Sequence, residues 1–169
     1  MRFKPCESVR LPLPTPSPRS RFSAIPSKPV NRRDYSEEEV AAWLRKEDVT
    51  PDMWLDSFTG KATFVAINDN GTLTGFVDCE PQTGLINRLF VAANRQGEGI
   101  GSALLARTEA AVERSVSTFT VYASLTARIF FERSGYTVVT PNLVTRTYTK
   151  NGIVRIIDLK NFQMQKSRD

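Results

Sequence analysis

Leu89-Phe90-Val91-Ala92-Ala93-Asn94-Arg95-Gln96-Gly97-Glu98-Gly99-Ile100-Gly101-Ser102-Ala103-Leu104-Leu105 runs from an apolar strand through a glycine-rich loop straight into a helix. The strand is predicted to begin at Leu85, after Gly84, and to end where Ala92-Ala93-Asn94 opens the loop. Gly97, Gly99 and Gly101 permit positive φ and a close backbone approach to a ligand. The first amides of the following helix have no carbonyl behind them to bond. Together these features make a site for an anion of pyrophosphate type. The same glycines also suit a tight strand-to-helix turn that binds nothing, so the loop alone leaves both readings open. Spacing removes two nucleotide folds. A dinucleotide site needs an acid about 20 residues downstream, where this chain has Arg114-Ser115-Val116-Ser117-Thr118. A phosphate loop of the Gly-Lys-Ser/Thr kind needs a lysine that is missing here.

Outward from the loop, the helix from Gly101 to about Glu113 carries Leu104, Leu105, Thr108, Ala111 and Val112 on one side. Upstream, Ala62–Ile67 and Leu73–Cys79 read as strands joined by the hairpin signal Asn68-Asp69-Asn70-Gly71. Farther back, Ser36-Glu37-Glu38-Glu39 is a capping box that opens a helix with Val40, Trp43 and Leu44 on one side, stopped by Asp48, Thr50 and Pro51. Met53, Trp54, Leu55 and Phe58 suggest a second short amphipathic turn, closed by Gly60. Downstream, Phe119–Ala123 is a short strand and Ser124 caps a helix through Ala127, Phe130 and Phe131, with Gly135 at its C′ position. Tyr136–Val139, Leu143–Tyr148 and Ile153–Leu159, the last continuing toward Met164, are extended. Mixed rather than alternating strands and helices predict an α+β fold.

Composition narrows the chemistry. The chain has 169 residues, 40% hydrophobic and 24% charged, which fits one soluble domain of ordinary makeup. It has no histidine and two cysteines, Cys6 and Cys79, so neither a Ser-His-Asp or Cys-His relay nor a Cys/His zinc site can be assembled. No apolar run approaches the ~20 residues of a spanning helix, and no apolar segment of signal-peptide type follows the basic start. Cytoplasmic residence is the expectation. Residues 1–33 hold eight Lys/Arg against Glu7, net +7, while the remainder has 15 against 17, net −2. The basicity therefore belongs to a tail, and neither nucleic acid nor membrane is an expected partner. Seven of the ten prolines lie in the first 30 residues, so Met1 to about Asn31 is read as an extended tail, disordered over 1–33, ahead of a folded domain over 34–169. Its Arg/Ser-rich composition is similar to an organelle transit peptide.

Gln96-Gly97-Glu98-Gly99-Ile100-Gly101, following a strand, resembles the Gln/Arg-x-x-Gly-x-Gly/Ala pyrophosphate loop of the GNAT acetyltransferase superfamily. Ala127-Arg128-Ile129-Phe130-Phe131-Glu132-Arg133-Ser134-Gly135-Tyr136 resembles that family's later Ala-x-x-Phe-Tyr-Glu-Lys-x-Gly-Phe signature, and Gly75-Phe76 stands where the family often has Gly-Phe. The segments Asp34 to Trp43 and Asn151 to Lys166 look like the YafP-type bacterial branch. The resemblance implies a GNAT-like fold, a mixed and mostly antiparallel central sheet flanked by helices, splayed near the end of Leu85–Val91 to admit a pantetheine arm. It implies an N-acetyltransferase in which a primary amine attacks acetyl-CoA directly, with no covalent enzyme intermediate and no metal. By the same resemblance, Gln96, Gly97, Glu98, Gly99, Ile100, Gly101 and Ser102 hold the pyrophosphate. Leu89, Phe90 and Val91 supply backbone groups to pantetheine and an amide donor to the thioester oxygen.

Two departures accompany the resemblance. The family's general-acid tyrosine falls at Phe131, whose ring has no proton to give. A thiolate near its ordinary pKa of ~8.5 can leave without that acid, so the expected effect is slow turnover. Tyr122, Ser124 and Tyr136 are the hydroxyl candidates, each with an ordinary reading as strand residue, helix cap and packed aromatic. Asp78 and Glu80 are the candidate bases, acting through water, or else solvated carboxylates at a strand end. Asn87 can orient an acceptor. The second departure is the tail, which replaces the strand and helix that normally open the family's fold. The expected partner is a small-molecule or peptide amine, with a homodimer as an allowed assembly. Two other readings stay open: an acyl-CoA-binding protein with little or no turnover, and a non-enzymatic module that holds an acidic partner through its tail.

Overall fold

The computed structural model describes residues 2–5, 36–43 and 56–168. In chain order its elements are β1 (Arg2–Pro5), α1 (Glu37–Trp43), β2 (Ala62–Ile67), β3 (Leu73–Glu80), β4 (Leu85–Val91), α2 (Ile100–Ala111), β5 (Thr118–Ser124), α3 (Leu125–Arg133), β6 (Thr137–Lys150) and β7 (Ile153–Ser167). They fall into two compact units.

The first unit contains β1 to β4 and α2. Its strands form an antiparallel meander in sequence order. The β2–β3 turn follows from Asn68: its side-chain oxygen accepts from the Thr72 amide at 2.7 Å, and its carbonyl accepts from Gly71 at 3.0 Å. Thr74 to Cys79 of β3 are all buried; the strand lies between β2 and β4 and α2 packs over one of its faces. Gly75 makes that contact possible: a Cβ there would stand 2.8 Å from the Phe90 carbonyl oxygen and 3.1 Å from Leu104 Cδ1. Ile100, Leu104, Leu105 and Thr108 are the buried positions of α2, at the helical spacing read from the sequence.

Two arginines finish this unit. Arg88 of β4 donates through Nε to both carboxylate oxygens of buried Asp78, at 3.0 and 3.1 Å. It also donates to the Ser57 hydroxyl and carbonyl at 3.0 and 3.2 Å, and it lies 4.1 Å from the Phe58 ring centroid. The turn before β2 is thereby fastened to the sheet. Arg168 donates to the carbonyls of Glu109, Val112 and Glu113 at 3.3, 3.0 and 2.6 Å, which satisfies the end of α2 and sets a cation against its negative pole.

The second unit contains α1, α3, β6 and most of β5 and β7, with β7 between β5 and β6. The capping box forms: the Ser36 amide donates to Glu39 Oε2 at 2.7 Å, and the Glu39 amide to Ser36 Oγ at 3.2 Å. Ala42 of α1 packs with Tyr148, Ile157 and Leu159 of the β6–β7 hairpin, and Lys150 reaches Glu38 at 2.8 Å. Ser124 Oγ accepts from the Ala127 amide at 3.2 Å to start α3. At the other end Gly135 donates to the Glu132 carbonyl and Tyr136 to that of Phe131, the Schellman arrangement. Phe131 is 3% exposed, with the Phe130 and Tyr136 rings edge-on at 5.1 and 5.3 Å.

Two expectations change. Arg2–Pro5 is a strand paired with β2, where the sequence read as tail; it is the outer strand of the order, and Pro5 stands at its last position, a place where proline is tolerated. Residues 6–35, the rest of that stretch, lie outside the described residues. So do the side chains of Val40 and Trp43 and all of residues 44–55, including Met53, Trp54 and Leu55. The two extended stretches expected on either side of Pro141 are one strand, β6. It lies at the end of the strand order, where proline is tolerated, and its register shifts at Val138/Thr140.

Arg168→Ala is expected to cost about 1–2 kcal/mol by leaving three helix-end carbonyls without their cation, read as a lower urea midpoint; Arg168→Lys should restore part of it. Phe131→Tyr is expected to lose about 1–3 kcal/mol, because its hydroxyl would enter an aromatic cluster. Unchanged melting of that variant would show that the ring edge reaches solvent or a partner.

Candidate active site

β4 delivers the chain to the loop with its ladder extended by one bond, the Ala92 amide donating to the Thr74 carbonyl at 2.8 Å. A single 3-10 turn, Ala93–Arg95, follows, and Gln96 is extended at φ −72 and ψ 152. Gly97 and Gly99 then take φ 81 and 77, a region costly for any residue with a Cβ. Gly99 is the N-cap of α2, and the first helical bond runs from the Ala103 amide to the Gly99 carbonyl at 3.0 Å. The amides of Ile100, Gly101 and Ser102 precede that bond and are left for an outside acceptor. A Cβ added at Gly97 or Gly99 would meet nothing within 4 Å, so the backbone there borders open space. A row of amides beside open space fits a diphosphate. Gly101 differs from expectation: it is an ordinary α2 residue, and its φ is not positive.

Between the two positive-φ glycines stands Glu98, ion-paired with Arg95 at 2.9 Å. Along β4, Leu89 and Val91 are half-buried, and Phe90 is 39% exposed and stacked on Phe76 with centroids 5.3 Å apart. Asp78 lies opposite Arg88 but Cys79 opposite Ile86, so Asn87 is an extra residue and β4 bulges there. Exposed Asn87 donates through Nδ2 to Glu80 Oε1 at 3.4 Å, and Thr83 Oγ1 donates to Glu80 Oε2 at 3.0 Å.

The two candidate bases thus have different surroundings. Asp78 is 0% exposed and committed to Arg88, with Lys61 Nζ 3.8 Å away. That corrects its reading as a solvated or proton-accepting strand-end carboxylate, since a fully buried carboxylate held by a guanidinium is out of reach of a substrate ammonium. Glu80 is half-buried at the sheet end, beside an exposed amide. Burial, with Asp78 and Glu80 adding repulsion, pushes the Cys79 thiol up to about 11, which keeps it neutral and a poor nucleophile.

The hydroxyl candidates belong to the second unit. Tyr122 is 51% exposed, the Ser124 oxygen is engaged as the α3 cap, and Tyr136 is buried with Lys166 Nζ 5.8 Å from its ring centroid. Phe131 is packed rather than exposed. Sequence reading missed Arg88 and the Arg95–Glu98 pair. The first could be found only by counting register through the bulge, whereas the second is an ordinary three-residue spacing of opposite charges. Among the described residues no group of three His, Cys, Asp or Glu side chains gathers to hold a metal, and no helix is long and apolar enough to cross a membrane.

Comparison with known proteins agrees with this geometry. The uncharacterized N-acetyltransferase YafP of Escherichia coli strain K12 is 32% identical over 105 residues, which cover 62% of this chain and 63% of that protein, under two thirds of the relative's length. A GCN5-related N-acetyltransferase from Rhodopseudomonas palustris superposes over 99% of this chain and 95% of its own with TM-score 0.75 and 27% identity. The PaiA N-acetyltransferase of Thermoplasma acidophilum, solved in complex with coenzyme A, shares the fold at TM-score 0.64 and 18% identity, over 99% of this chain and 100% of its own. The acetyltransferase (GNAT) domain family matches residues 31–154, which take in β2 to β4, the amide row before α2 and both motifs, and this chain belongs to that family.

Proposed function

We propose that the protein is an N-acetyltransferase that moves an acetyl group from acetyl-CoA to a primary amine, on a small molecule or a peptide, by direct attack. The observation that carries the reading is the loop: positive φ at Gly97 and Gly99 and the unbonded amides of Ile100, Gly101 and Ser102 beside open space. Acetyl-CoA brings the activated thioester, so the chain needs no nucleophile of its own, consistent with the absence of histidine and the neutral Cys79. Gln96 to Ser102 bind its diphosphate through backbone donors. Leu89, Phe90 and Val91 align it along β4, and an amide of that strand steadies negative charge on the thioester oxygen.

Glu80 takes the proton that the attacking ammonium must lose, directly or through one water, with Asn87 orienting the acceptor. Its half-exposure and amide partner support this role, and Asp78 is left to structure. Buried Phe131 supplies no acid, and a thiolate near its ordinary pKa of ~8.5 leaves with a proton from water. A protein that bound acyl-CoA without turnover would use the same loop, and no observation favours that reading over transfer.

CoA should raise the melting temperature of the wild type, and Gly99→Val should abolish that shift while keeping native circular dichroism, because a β-branched residue cannot hold φ 77. A wild type indifferent to CoA sinks the proposal. With an amine that is acetylated, followed by free-thiol release, Glu80→Gln should lower kcat on the order of 10²-fold with CoA affinity unchanged. An unaltered kcat removes Glu80 as the base.

A further inference from the structure

Glu98 stands oddly for a loop that binds anions: a carboxylate between the two glycines whose conformation opens the backbone to a ligand. A like charge next to a bound diphosphate opposes binding. Arg95, three residues earlier, holds the carboxylate at 2.9 Å from Nη2, and the two side chains are 37% and 41% exposed. Arg95 is itself placed by the 3-10 turn, its amide donating to the Ala92 carbonyl at 2.9 Å. A guanidinium has five donors. The ion pair engages Nη2, while Nε is buried without a partner.

We infer that Arg95 and Glu98 form a built-in counter-ion pair that sets how tightly, and with what salt sensitivity, the loop takes a diphosphate. Glu98 occupies Arg95 when the loop is free, and phosphate oxygens compete with it for the guanidinium. Partial exposure suits an exchange. A water-washed ion pair contributes little and gives way to a bidentate phosphate contact, which is the stronger bond. The inference rests on the CoA reading of the loop and adds to it a residue that restrains affinity, Glu98, and one that provides it, Arg95. Neither touches the reacting atoms; both act through the cofactor's phosphates.

The test is calorimetric titration of the full chain with CoA and with pantetheine, which lacks the phosphates, at low and high salt. Wild type, Glu98→Gln, Arg95→Gln and the double variant are compared. Glu98→Gln should bind CoA about three- to tenfold tighter, with a steeper loss of affinity on adding salt, because an unopposed Arg95 now faces the phosphates. Arg95→Gln should bind several-fold weaker, and the double variant should return near wild type. Pantetheine affinity should be the same for all four. A loop defect can only weaken binding, so the sign of the Glu98→Gln change separates this role from a merely structural one. If the wild type binds CoA and Glu98→Gln binds no tighter, or if pantetheine follows the same trend, the inference is overturned while the acetyltransferase reading stands. A wild type that takes no CoA overturns both.

Discussion

The seat of α2 on the sheet depends on one contact, the approach of Ile100 and Leu104 to the backbone of β3 at Gly75. Any side chain there would crowd the Phe90 carbonyl of β4 and press on Leu104 and Ile100, so that helix or strand would have to shift. Burial of Ile100 fixes the first turn, and with it the direction of the Ile100, Gly101 and Ser102 amides. Those amides are held in place by the packing of the helix, the general requirement for electrostatic binding by neutral groups. The positive φ of Gly97 and Gly99 then lets the loop turn from β4 into that fixed helix.

Charge is sorted with similar economy in the first unit. Its two carboxylates on β3, Asp78 and Glu80, would share one face by strand alternation alone, and they meet different partners because β4 bulges between them. Asp78 meets Arg88 and disappears into the interior, whereas Glu80 emerges beside Asn87. A single extra residue at Asn87 therefore separates a fully buried acid from a half-buried one. The same bulge explains why an arginine that looks like a surface residue in the sequence anchors Ser57 and Phe58.

What was legible in the sequence was local. The capping box at Ser36, the turn at Asn68, the Ser124 cap and the Gly135 stop each depend on residues within about five positions, and each formed as read, whereas the glycine loop took positive φ at Gly97 and Gly99 but not at Gly101. Strand Leu85–Val91 matched to the residue. Facts that depend on distant partners were not legible. The pairing of Arg2–Pro5 requires β2, about 60 residues away, to offer a free edge. Pro141 looked like a break because proline is costly inside a sheet, and only its place on an outer strand removes that cost. The motif places Phe131 at the family's acid position, but its burial against Phe130 and Tyr136 depends on how α3 lies on its own unit. Asp78 and Glu80 were indistinguishable until register told them apart.

The clasp of Arg168 on α2 bears on the order in which the protein is made. Glu113 and the arginine that donates to its carbonyl are 55 residues apart. During synthesis the helix behind the glycine loop emerges early, with its carbonyl end open, and must wait for β5, α3 and the long hairpin before its last partner leaves the ribosome. A nascent chain therefore carries the amides of the loop on an unfinished helix, and a translation stall short of residue 168 would release a protein with its most recognisable motif intact and its anchor missing.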